Sequence, residues 1–186
     1  MRVNESEVRR LVREAVDRAL GAAPQLVRAA PAPEAAPRRV AIGSDHGGYA
    51  LKEVLKRAIA DELGWDVHDC GTHSTDAVDY PDFAALVARE VASGRAARGV
   101  IVDAAGIGSS IAANKVAGVR CALCHDDATV LNSREHNDAN VLALGARVVH
   151  RGAATRMVRL FLATSFGGGR HERRVQKITA LEQRAT

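Results

Sequence analysis

Aromatic side chains are nearly missing from this chain of 186 residues: three Phe, two Tyr and one Trp make up 3% of it. A core built on stacked rings is thereby excluded, and the interior must be made of Val, Leu, Ile and Ala. Cysteine is equally sparse. Cys70, Cys121 and Cys124 make no disulfide framework, and Cys121-Ala-Leu-Cys124 is C-x-x-C in form only. It lies in V-R-C-A-L-C-H, which reads as a strand, where positions i and i+3 face opposite sides, so the thiols read as buried and structural. No apolar run approaches the roughly 20 residues of a membrane span, and no signal-peptide core is present. The chain is therefore expected in a reducing cytoplasm. Lys and Arg are spread among acids, without a basic block or neighbouring aromatics, which speaks against nucleic acid; the formal charge of +4 leans only slightly towards anionic ligands.

What is present begins with a segment set apart. Val8, Leu11, Val12, Ala15, Val16, Ala19 and Leu20 follow a helical stripe, Asn4 and Glu7 stand at capping-box spacing, and Arg and acidic residues fill the other face. Residues 1–20 are thus expected to form an amphipathic helix. Residues 21–38 hold four of the five prolines and are rich in alanine, a semi-extended linker. The arrangement resembles the N-terminal encapsulation peptides of enzymes housed in bacterial microcompartments. This resemblance implies shell proteins as partners of residues 1–20 and a location inside such a compartment; a self-associating terminal helix is the plainer alternative.

From Arg39 onward, strands and helices alternate. Strands are expected at Arg39–Ser44, Trp65–Cys70, around Val100–Val102, at Gly118–Cys124 and at Asn140–Leu144. Helices are expected at Tyr49–Leu63, Pro81–Ala92, from Ile111, and at Asp126–Arg134, Arg151–Ala163 and Arg170–Thr186. Such alternation predicts an α/β domain over residues 39–186, with a five-stranded parallel sheet covered on both faces and ligands at the carboxyl ends of its strands. The stretch Gly99–Lys115 stands out: a β-branched run, Asp103, the small-residue turn Ala104-Ala105-Gly106-Ile107-Gly108, then a helix start. Backbone N–H groups and a helix N-terminus make an anion site there, for a phosphate or for an oxyanion formed in a reaction; an ordinary tight connection is the alternative. Asp45 and His46 end the first strand, and Asp45 could equally cap the helix behind it. His125 and Asp126 end the fourth strand, and His136-Asn137 lie just before the fifth. Arg170 and Arg174, four apart, share a helix face and suit a phosphate.

Taken together, S-D-H-G-G-Y-A-L-K at Ser44–Lys52, D-Y-P at Asp79–Pro81, G-x-G-x-S-I-A-A-N-K at Gly106–Lys115, S-R-E-H-N-D-A-N-V-L at Ser133–Leu142, G-A-R-V-V at Gly145–Val149 and G-G-R-H-x-x-R at Gly168–Arg174 resemble the type B ribose-5-phosphate isomerase family, which includes the galactose-6-phosphate isomerase subunits. The resemblance implies a Rossmann-like αβα sandwich acting as a homodimer or dimer of dimers, with active sites shared between subunits. It also implies aldose–ketose isomerisation of a phosphorylated sugar, foremost ribose 5-phosphate to ribulose 5-phosphate, through a cis-enediolate and without metal or cofactor. By position, Asp45, His46 and Asn137 contact the sugar, and the backbone of Ala104, Ala105, Gly106, Ile107 and Gly108 cradles the oxyanion. His136 is the acid that helps open the furanose ring, and Arg147, Arg170 and Arg174 match the remaining binding positions, with the arginines serving the phosphate.

One position departs. Many relatives carry a cysteine as C2 base at the end of strand three, and another branch carries a glutamate just after the second glycine of the turn. Here these positions are Asp103 and Ser109. Asp103 is accordingly the candidate base; the alternative is a sugar-phosphate-binding member with altered substrate or lost isomerase activity.

Overall fold

We analysed a computed structural model of the chain, which describes residues 38–182. The expected amphipathic helix and all but the last residue of the linker lie outside the described residues.

The elements follow the expected alternation: β1 (Arg39–Ser44), α1 (Tyr49–Arg57, widening into a π-helical turn over Ala58–Glu62), β2 (Asp66–Asp69), α2 (Tyr80–Ala92), β3 (Arg98–Asp103), α3 (Ile107–Ala113), β4 (Cys121–Leu123), α4 (Asp127–Glu135), β5 (Val141–Gly145), α5 (Arg151–Ala163), a 3-10 turn (Gly169–His171) and α6 (Glu172–Glu182). The five strands form one parallel sheet in the order β2-β1-β3-β5-β4, with Val100 of β3 paired to Ile42 on one side and Leu142 on the other. This is the Rossmann-like α/β architecture. Successive strand residues point to opposite faces, and two cores result. Val40, Ile42, Val100, Val102, Leu142 and Leu144 pack against Leu55 of α1 and Met157, Val158 and Phe161 of α5. Ala41, Ile101 and Val141 pack against Ala84, Val87, Ala88 and Val91 of α2. Full burial of each larger aliphatic or aromatic side chain favours folding by about 1.5–3 kcal/mol.

Three expectations need correction. Helix α3 starts at Ile107, not Ile111, because the positive φ of Gly106 ends the turn there and lets the backbone enter the helix at once. The fourth strand is shorter than Gly118–Cys124, because side chains take its flanking backbone: Asn140 Oδ1 accepts from Arg120 N (2.8 Å), and Asn114 bonds both N–H and C=O of Cys121 (2.8 and 2.9 Å). The last helix starts at Glu172, so Arg170 lies in the preceding 3-10 turn, not on the helix. The expected separation of Cys121 and Cys124 holds, with Cys121 against one core and Cys124 in the other, but only Cys124 is buried; Cys70 and Cys121 are half-buried, and burial still pushes the Cys121 thiol up to about 12.

Arg134, only 1% exposed, joins α4 to α5. Its Nη1 donates to Asp138 Oδ1 (2.9 Å) and to the Ala139 carbonyl (2.5 Å), its Nε donates to the Thr164 carbonyl (3.1 Å), and its guanidinium lies over the Phe161 ring. Truncation leaves the buried Ala139 carbonyl and the half-buried Thr164 carbonyl without donors, so Arg134→Ala should cost about 3 kcal/mol of stability. Denaturant unfolding at matched protein concentration measures this; a loss below about 1 kcal/mol would contradict it.

Candidate active site

The chain leaves β1 and β3 towards opposite sides of the sheet, so a crevice opens between their carboxyl ends, where ligands of open parallel sheets bind. Asp45 and Asp103 flank it. The Asp45 loop is held tightly against β3: Asp45 N donates to Val102 O (3.3 Å), Asp45 Oδ1 accepts from Gly48 N (2.8 Å), and a Cβ on Gly48 would stand 2.1 Å from that same Val102 oxygen. Asp45 thus bonds the amide of Gly48, the residue flanking α1, and braces the loop; no side chain caps the helix, so the expected alternative of Asp45 as its cap needs correction. Behind it lies a buried ion cluster. Lys52, wholly buried, donates to both oxygens of Asp69 (2.8 and 2.7 Å), and Lys56 adds a third bond (2.5 Å). Burial alone would raise the Asp69 carboxyl, but the hydrogen bonds from Lys52, Lys56 and the Gly71 amide bring it down to about 2. Gly71 in turn accepts from Ser44 N (2.7 Å), so the cluster braces the residue before Asp45.

Asp103 is 5% exposed and turns inward upon its own turn. Its Oδ1 accepts from the amides of Ala105 (2.7 Å) and Gly106; its Oδ2 accepts from the amide (3.1 Å) and hydroxyl (2.5 Å) of Ser109. Gly106 permits the wrap: its φ is +81°, and a Cβ there would meet Leu123 at 2.5 Å. Two of the amides expected to cradle an oxyanion are therefore taken by the chain's own carboxylate. Among the described residues, those of Ile107 and Gly108, which open α3, keep no acceptor. The two positions at which the resemblance places a base, 103 and 109, are joined by a hydrogen bond. Ala146 N donates to Asp103 O (2.8 Å) and Arg147 N to Ala104 O (3.0 Å), which brings Arg147 to the same edge. His46 is exposed, and its Nδ1 accepts from Val78 N (3.3 Å). Tyr80, the middle residue of D-Y-P, lies over the turn, a position that motif spacing alone does not signal: a Cβ on Gly108 would approach its ring to 2.5 Å.

His136, Asn137, Arg170 and Arg174 do not join this group within the chain. Helix α4 runs back across the sheet, so His136 and Asn137 emerge at the amino edge just before β5; α5 does the same for the turn that carries Arg170. There the His136 and His171 rings stack in parallel (centroids 4.1 Å, planes 5° apart), and Gly167 N donates to Glu135 O (2.9 Å). Partial desolvation, with His136, Arg170 and Arg174 nearby, holds the His171 imidazole below the usual histidine value. This second cluster is cationic and suits a phosphate. A six-residue strand spans roughly 17–20 Å, further than an extended pentose phosphate reaches, so one chain presents two half-sites on opposite edges. Ligands are expected at the carboxyl ends of the strands; the direction of α4 and α5 instead puts His136, Asn137, Arg170 and Arg174 at the other edge.

A groove of about 690 Å³ runs between α6 and β4, lined by Cys121, Ile178 and Leu181 among others, and reaches the second cluster only at Asn137. Among the described residues no three His, Cys, Asp or Glu side chains gather as a metal site, and no helix is long and apolar enough to cross a membrane.

The model of the Ribose/Galactose Isomerase family matches residues 40–178. Ribose-5-phosphate isomerase B of Escherichia coli is 44% identical over 147 residues, covering 79% of this chain and 98% of that protein. The ribose-5-phosphate isomerase B structure from Clostridium thermocellum superposes with a TM-score of 0.77 at 47% identity, covering 80% of this chain and 99% of the other. That from Mycoplasma genitalium, determined with bound ribulose 5-phosphate, superposes with a TM-score of 0.75 at 39% identity, covering 78% and 96%.

Proposed function

The chain belongs to the ribose/galactose isomerase family, a family of aldose–ketose isomerases, and on that premise we propose that it interconverts an aldose phosphate and its ketose phosphate, foremost ribose 5-phosphate and ribulose 5-phosphate, with Asp103 as base. The observation that carries this reading is a buried carboxylate at the end of the central strand, bonded to Ser109 and ringed by backbone donors. Each oxygen already accepts two hydrogen bonds. Rotation of the Ser109 hydroxyl frees Oδ2 to take the proton from C2. The C2–H electrons form the C1–C2 double bond, charge gathers on O1, and the amides of Ile107 and Gly108 stabilise it. The O2 proton then passes to O1, C2=O forms, and the same carboxylate returns a proton to C1, which completes the ketose and restores the base. Asp45, His46, Asn137 and Arg147 orient hydroxyls, His136 donates to the furanose ring oxygen, and Arg170 and Arg174 clamp the phosphate.

The two half-sites meet when a second copy lies across the first with its sheet reversed, so that each site takes Asp103 from one protomer and His136, Arg170 and Arg174 from the other. Residues 39–186 form the catalytic domain in this reading. Residues 1–20, tethered by 21–38, act as an address for a microcompartment shell. Fused to a reporter, residues 1–20 should carry it into assembled shells; a diffuse reporter beside intact shells would refute the address.

A second reading is favoured by the saturation of the Asp103 oxygens: the carboxylate only braces the turn, and the protein binds a sugar phosphate without isomerising it. Incubating the full chain with a panel of aldose phosphates separates the two. Ketose formation supports the first reading, and binding without turnover supports the second.

A further inference from the structure

We propose that Asn132 is a positioning residue that dictates which nitrogen of His136 carries the proton. The proposal rests on reading His136 as the donor to the furanose ring oxygen, and it begins from an acceptor whose identity is beyond choice. The backbone carbonyl of Asn132 can only accept. It lies 3.2 Å from one terminal atom of the Asn137 amide, which must therefore be the NH₂ group, and that same atom lies 3.2 Å from Oδ1 of Asn132. Reversing Asn137 would set its oxygen against two other oxygens; reversing Asn132 would set one NH₂ against another. With the Asn132 oxygen turned to Asn137, its NH₂ faces Nδ1 of His136 at 2.8 Å and donates to it. A nitrogen that accepts has no hydrogen, so the neutral ring carries its proton on Nε2.

The ring plane is fixed independently. His171 stacks on it at 4.1 Å, and Arg170 Nε approaches His171 Nε2 at 3.4 Å. Flipping His136 about its ring axis would turn a carbon towards Asn132 and lose the bond. Nε2–H is thereby presented on the side away from α4 as a ready donor, without a second proton on the ring. Asn132 is a weak helix former in the middle of Asp127–Glu135. A local preference set aside in this way is expected where a side chain serves function.

The test uses full-length protein labelled with ¹⁵N-histidine. Long-range ¹H–¹⁵N spectra at pH 8, where histidine is ordinarily neutral, read the tautomer of His136, assigned by its loss in His136→Gln. Wild type should show a bare Nδ1 and a protonated Nε2. Asn132→Leu should mix the tautomers and lower kcat/KM for ribose 5-phosphate roughly tenfold. Asn132→Asp, which can only accept when ionised, should draw the proton to Nδ1. A wild-type ring protonated on Nδ1, or a tautomer and kcat/KM unmoved by Asn132→Leu, would overturn the proposal. A wild type with the expected tautomer but no isomerase turnover would count against the isomerase reading while upholding the control of the tautomer.

Discussion

Asp103→Asn should lower aldose-phosphate turnover by about 10²–10⁴-fold, the usual share of a positioned proton-transfer group, while sugar-phosphate binding changes only a few-fold. The substitution keeps shape and removes basicity. The amide oxygen can go on accepting from Ala105 and Gly106, so the turn keeps its path. The new NH₂ faces Ser109, whose hydroxyl can rotate from donating to accepting, while the Ser109 amide loses its acceptor at the first turn of α3. Loss of kcat with binding preserved is the pattern of a group whose work is done in the transition state. Steady-state kinetics beside calorimetric titration with ribose 5-phosphate measure both quantities. Turnover within tenfold of wild type would remove Asp103 from the chemistry and leave it as a brace for the turn.

Mixing two crippled chains should restore activity. Asp103→Asn disables one half-site and His136→Gln the other, so each variant alone falls far below wild type. In a dimer joined by a two-fold axis, a mixed pair has one site with both lesions and one with none. Random 1:1 assembly makes half of the dimers mixed, so the mixture should recover about a quarter of wild-type activity. Co-expression with two purification tags isolates the mixed dimer, which should reach about half. Activity no greater than the mean of the two parents would mean that each site lies within one chain, against the separation of Asp103 and His136 on opposite sheet edges.

The parts of this picture that the sequence foretold are those governed by short-range rules. β-branched runs and helical stripes located the five strands and six α-helices of residues 38–182, though not the ends of α3, β4 and α6, and the strand–turn–helix pattern singled out Asp103 and its glycine turn. Alternation along a strand separated Cys121 from Cys124. What remained hidden depends on direction and on side-chain geometry. His136 stands beside a strand in sequence, but whether it reaches the carboxyl or the amino edge depends on the run of α4. Spacing puts Ser109 six residues after Asp103 without revealing that the carboxylate folds back to meet it. The role of Asn132 arises from a chain of three hydrogen bonds, and a polar residue on an exposed helix face gives no periodic signal.

The central claim is proton transfer between C2 and C1 of an aldose phosphate, and it is tested most directly by following ribose 5-phosphate with the full-length protein in D₂O by NMR. The account predicts that ribulose 5-phosphate accumulates with deuterium entering at C1, because the carboxylate that takes the C2 proton exchanges it with solvent before returning it. Ribose 5-phosphate that binds yet is recovered unchanged would contradict it.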